Sequence, residues 1–125
     1  MRGFMRTKNI GFISQRDIYG NIIQNEETVN DVLSMFEGCR FISGNSKGNE
    51  HLLEQKCLER GLEFVSINPD TSGFGFELAF LERNREIIKQ SDIVVLVFDG
   101  FNKFGLNVIK EGLRLGKKVI CMNLK

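Results

Sequence analysis

Three polar stretches carry the side chains that could hold or transform an anion: "SQRDIYGN" (14–21), "SGNSKGNE" (43–50) and "DGFNKFGLN" (99–107). All are rich in Gly, Asn, Ser and basic residues, which suits phosphate or nucleotide binding at a helix N-terminus; polar, glycine-rich loops are also ordinary connectors. In the second stretch Gly44 and Gly48 flank a short turn holding Asn45 and Lys47. Leu52, Leu53, Cys57 and Leu58 then recur at helical spacing. Glu50, in the first turn of that helix, favours the helix dipole or contacts a ribose hydroxyl. Asp99 is the best-placed carboxylate for ribose hydroxyls or a water, or else caps the following turn. Arg16 and Arg83 are two candidate anion clamps, because the guanidinium fork matches a phosphate. Arg83 stands beside Asn84 and interrupts an apolar stripe of Phe80, Ile87 and Ile88. The plain alternatives are a surface loop charge for Arg16 and an outward-reaching Arg beside a structural Asn for Arg83.

Those residues need a frame to position them. Short β-branched runs alternate with helix-period segments: strands at 8–14, 39–43, 62–68, 92–99 and 117–123, helices at 26–36, 49–60, 76–90 and 105–115. "DIVVLVFD" (92–99) is the unbroken apolar run of a central parallel strand buried on both faces. In the fourth helix Leu106, Ile109 and Leu113 are expected to face inward. The alternation predicts a three-layer, doubly wound α/β domain with right-handed crossovers and a five-stranded parallel sheet in the order 3-2-1-4-5. Residues 1–7 read as a leader and 8–125 as one domain. In such sheets ligands bind beyond the carboxyl ends of the strands, where the strand order reverses.

Composition narrows the functional classes. Seventeen basic and 16 acidic residues leave a formal charge of +1, interspersed rather than striped, so nothing supports bulk attraction to nucleic acid or membrane. No apolar run approaches the roughly 20 residues of a membrane span, and the N-terminus lacks the apolar core of a signal peptide. Cys39, Cys57 and Cys121 read as buried free thiols, and one histidine makes a zinc site improbable. The expectation is a cytoplasmic protein with no cofactor and no metal. Phe74, Phe76, Phe101 and Phe104 crowd two loops, where they would stack a base or form a subunit contact, self-association being the more ordinary use.

The segment "SGNSKGNEHLLEQKCLERGLEFVSINPD" resembles a strand-loop-helix signature of the form S-G-G-A-R-G-x-D-x-L. "ERNREIIKQSDIVVLVFDG" resembles its partner signature, R-N-x-x-M/I followed by an apolar strand and D-G, and "ISQRDI", with Ser14, Gln15 and Arg16, resembles the first-strand signature G-S-R-D/x-F. Across residues 8–121 the chain resembles the SLOG superfamily of Rossmann-like proteins, named for the Smf and LOG proteins, and within it the small stand-alone YspA-like branch of bacteria and phages. The resemblance implies a nucleotide or nucleotide-derived ligand. Its phosphate contacts would fall on Gly44, Asn45, Lys47, Gly48, Arg83 and the turn after Asp99-Gly100. Glu50 stands where the branch has an acidic residue.

The last motif departs from that pattern. The branch has D-G-x-S-x-G-T; this chain has "DGFNKFG", with Asn102 for Ser, Phe104 for Gly and Gly105 for Thr. Three residues further on, the catalytic relatives place a glutamate, and this chain has Val108. The expectation is therefore a non-catalytic protein that senses or sequesters an ADP-ribose-like signal, in phage defence or counter-defence and as a homo-oligomer. The alternatives are a nucleoside 5'-phosphate N-glycosidase and a protein-interaction module with a vestigial pocket.

Overall fold

The computed structural model describes residues 7–15, 24–44, 46–70, 75–98 and 103–123, excepting the side chains of Phe76 and Glu77. Strand and helix alternate: β1 (Asn9–Ser14), α1 (Glu26–Met35), β2 (Arg40–Ser43), α2 (Asn49–Arg60), β3 (Phe64–Ser66), α3 (Phe76–Gln90), β4 (Ile93–Phe98), α4 (Lys103–Arg114) and β5 (Lys118–Asn123). The sheet order is β3-β2-β1-β4-β5 with every pairing parallel, the doubly wound Rossmann-like arrangement.

Side-chain alternation along the central strands builds two cores. On one face Ile10, Phe12, Phe41, Val95 and Val97 meet Val29, Val32 and Leu33 of α1 and Leu53 and Cys57 of α2. On the other, Ile13, Ile42, Val94, Leu96 and Phe98 meet Ile87 and Ile88 of α3 and Val108 of α4. β4 is apolar at every position because both of its faces are covered. β3 shrinks to three residues at the sheet edge, where one flank has no strand to pair with among the described residues.

α4 corrects the expected inward stripe. Its buried residues are Gly105, Val108 and Gly112, whereas Leu106 is 50% and Leu113 65% exposed and Ile109 is half-buried. Both sets have helical spacing. The glycines win because a helix without side chains there settles directly on the Phe98 ring and on Val119. Glycine carries no apolar weight, so a hydrophobic pattern overlooks it. The cysteines differ too: Cys57 is buried, Cys39 half-buried and Cys121 exposed, all as free thiols. Phe104 packs against the α3/α4 core instead of standing on a rim, while Phe74 and Phe101 lie outside the described residues.

Two outcomes follow from this packing. Gly105→Ala, which favours a helix by about 1 kcal/mol elsewhere, is expected to lose roughly 1–2 kcal/mol here, because its methyl would overlap the Phe98 ring; urea unfolding measures it. Burial pushes the Cys57 thiol up to about 11 from the ordinary 9.0. Below about pH 9 the thiol is neutral in both states and its full contribution to stability is present. As pH rises towards 11 the unfolded thiol ionises first and that contribution is lost. In native protein, alkylation followed by mass mapping should label Cys121 and spare Cys57 until the chain unfolds.

Candidate ligand site at the carboxyl edge of the sheet

The strand order reverses between β1 and β4, so the crevice of a doubly wound sheet falls at their carboxyl ends. The loop following β2 brings its residues alongside the end of β1. Of the expected site residues, Arg16, Asn45, Asp99, Gly100 and Asn102 lie outside the described residues. The others can be placed.

Arg83 is not at a rim. Arg83 and Glu50 are 4% and 1% exposed, and their side chains face each other in two parallel contacts, Nη1 to Oε1 at 2.8 Å and Nη2 to Oε2 at 3.2 Å. Nη1 also donates to Ser46 Oγ at 2.9 Å, while Nε and Nη2 both donate to Asn84 Oδ1, at 3.1 and 2.6 Å. A guanidinium has five N–H donors, and these five bonds use them all. The Phe80 ring covers the group, 5.1 Å from its carbon. Arg83 is thus a strut whose charge is balanced by Glu50. A ligand phosphate would reach it only if Glu50, Ser46 or Asn84 let go. Its expected role as a free anion clamp, and that of Glu50 as a ribose contact, give way to this pairing. The physical reason is that a buried cation needs a buried anion.

The pair joins elements distant in sequence. Glu50 Oε2 accepts from the backbone N–H of Ser14, the last residue of β1, at 3.1 Å. Ser14 Oγ accepts from Asn49 Nδ2 at 3.1 Å, and Asn49 Oδ1 accepts from the N–H of Asn25, the cap of α1, at 2.6 Å. Gln15 is buried and its N–H donates to Val97 O at 3.0 Å, locking β1 to β4 at this edge. Gly44 lies against the guanidinium and Glu50 so closely that a Cβ there would overlap Arg83 Nη1. This position therefore needs the absence of a side chain.

One buried donor remains unclaimed here among the described residues. Asn84 is 1% exposed, and its buried Nδ2 has no hydrogen-bond partner among the described residues. Its orientation is fixed, because turning the amide would set an NH2 group against the guanidinium. α2 begins at Gly48, φ 105°, and α3 at Gly75, and neither glycine supplies a capping side chain; in α2 the His51 N–H is met instead by Ser46 O at 3.1 Å. By contrast α1 is capped by Asn25, which accepts from Thr28 N–H at 3.1 Å. Lys47 is exposed beside Gly48. Gly105 turns its bare face to Phe98. Sequence reasoning missed Ser46 and Asn49 as partners; their polar types in a glycine-flanked turn were the only signal.

No family model, curated protein or solved structure matches the chain in comparisons with known proteins. Among the described residues no group of three or more His, Cys, Asp or Glu is placed to hold a metal ion, and no helix is long and apolar enough to cross a membrane.

The saturated pair makes a stability prediction. Arg83→Ala should cost about 3–5 kcal/mol, the scale for stranding one partner of a buried ion pair. Arg83→Lys should recover only a minor part, since three donors on a single nitrogen cannot span Glu50, Ser46 and Asn84. Denaturant titration of both variants checks it; a loss below about 0.5 kcal/mol would be the behaviour of a surface residue.

Proposed function

We propose that this chain binds a phosphate-bearing, nucleotide-derived small molecule at the carboxyl edge of its sheet, as a SLOG-like protein, and does not turn it over. The observation that carries the reading is the buried Asn84 Nδ2, which has no hydrogen-bond partner among the described residues, close to an α2 start where Gly48 brings no capping side chain. An unmade buried hydrogen bond costs about 1–3 kcal/mol, and a helix N-terminus favours negative charge. An oxyanion supplies acceptors to both, and Lys47 adds a cation on a long stem at the rim. With Arg83 held by Glu50, specificity for the anion comes from backbone and amide donors rather than from an arginine fork.

Support for a binding role without catalysis comes from Val108, which occupies the position of the glutamate in the catalytic relatives. Its side chain is packed with Ile13, Leu96 and Phe98 in the core. The ligand class the resemblance suggests is an ADP-ribose-like signal, and a domain of this size acts by sequestering it or by passing it to a partner protein. A cytoplasmic role in phage defence or counter-defence fits that use.

The test is mass spectrometry of small molecules released by heat from purified protein, followed by calorimetric titration with AMP and ADP-ribose. Saturable binding without release of free base is expected. Asn84→Asp, which keeps the acceptor for Arg83 but replaces the unpaired donor by an oxygen, should weaken binding at least tenfold while a thermal melt still shows a cooperative fold. Free base released near the ordinary enzyme median of about 10 per second would favour the N-glycosidase instead. Absence of any nucleotide binding at millimolar concentration would end the proposal.

A further inference from the structure

The β5 flank of the sheet carries a feature that the proposed ligand site does not use. β5 has four consecutive apolar residues, Val119, Ile120, Cys121 and Met122, the composition of a strand covered on both faces. Yet it ends the sheet, none of its residues is fully buried, and Cys121 is exposed. Above it, Leu106 and Leu113 of α4 stand 50% and 65% exposed. They point away from α3: Glu111, which reaches Arg85 of α3 at 3.7 Å, lies roughly 140–160° around the helix from both. The outer edge of β5, which no strand among the described residues pairs with, and the leucine pair therefore lie on the same flank.

We infer that this flank is a homodimer interface in which β5 pairs antiparallel with β5 of a second copy about a two-fold axis at Cys121, making one continuous sheet. A symmetric contact must satisfy both elements with one axis, and three independent relations do so. First, Gly112 sits against Val119, and Gly105 against Phe98, whose register partner is Asn123. Cys121 is midway between Val119 and Asn123, and the corresponding midpoint on α4 falls between Val108 and Ile109. The midpoint of Leu106 and Leu113 lies one residue further, about 1.5 Å away. The axis that centres β5 thus also centres the leucines, setting Leu106 of one copy beside Leu113 of the other.

Second, α4 straddles β4 and β5, touching Phe98 of the one and Val119 of the other. Its axis lies about one strand spacing from the proposed two-fold. The two α4 helices would then be separated by two spacings, about 9.6 Å, inside the 8–10 Å range of packed helices. Third, pairing about Cys121 keeps like faces together: Ile120 opposite Met122, Cys121 opposite itself. A stable dimer buries roughly 800 Å² per partner. Two leucines fall short of that, so strand edge and helix flank are needed together. The other edge, β3, offers only three residues. Lys103 and Lys110 are exposed at the outer rim of α4, while Arg114 is paired with Glu111 at 2.8 Å, so like lysine charges approach and added salt should tighten the dimer. An acidic partner chain on the same flank would be weakened by salt instead.

Sedimentation of the full chain at roughly 5–100 µM, a span of little more than one decade in concentration, should give a species of twice the 14.3 kDa monomer. Leu106→Lys with Leu113→Lys should shift it to monomer with an unchanged circular dichroism spectrum. Mild oxidation with copper phenanthroline should cross-link the unsubstituted chain through Cys121, and Cys121→Ser should abolish the product. That second arm needs no substitution in the flank and stands if the double variant misfolds. A monomer throughout, or a dimer that yields no Cys121 cross-link, would overturn the proposal.

Discussion

A cation and an anion removed from water together set the terms for this fold's working edge. Once Arg83 of α3 is carried under the sheet by its neighbours Ile87 and Ile88, its charge has to be met, and Glu50 in the first turn of α2 is the group that meets it. The pairing fixes how α2 and α3, on opposite faces of the sheet, approach the end of β1. Ser46, Asn84 and the Ser14 N–H complete the shell. A buried pair of this kind contributes little net stability over an apolar pair of equal volume, whereas losing one member is costly. Its value here lies in geometry: it holds the turn at Gly44 tight and leaves the Asn84 Nδ2 without an acceptor among the described residues.

The same arrangement separates two roles that an arginine near a phosphate loop invites one to merge. A guanidinium with every N–H engaged organises a site; it does not read a ligand. On the proposed reading, recognition rests instead on the unpartnered Asn84 amide. Such sites are stiff, because the donors are fixed by helix geometry and by an amide whose orientation the strut dictates, and stiffness lowers the entropy cost of binding a small anion.

Much of the architecture was legible in the chain. Alternating β-branched runs and helical stripes gave the element order and the strand order, and the bounds of α2 and α3 agree to the residue. What escaped were positions where the decisive group has no hydrophobic weight. Gly105 and Gly112, not Leu106 and Leu113, bring α4 onto the sheet. Arg83 and Glu50, 33 residues apart, have to be buried together, and nothing in a local pattern marks a charge as destined for the core. Gly44, expected among the phosphate contacts, lies against the guanidinium and Glu50. The leucines misread as core are the residues left over on the outer flank of α4.

The central claim is that Glu50 and Arg83 act as one unit. A double-mutant cycle measures this directly: Arg83→Met, Glu50→Gln and the pair together, each unfolded in urea. If the two side chains hold one another, the double variant is more stable than the sum of the single losses implies, with an interaction energy of about 2–3 kcal/mol. Single losses that add to within about 0.5 kcal/mol, as for distant and independent sites, would contradict the account.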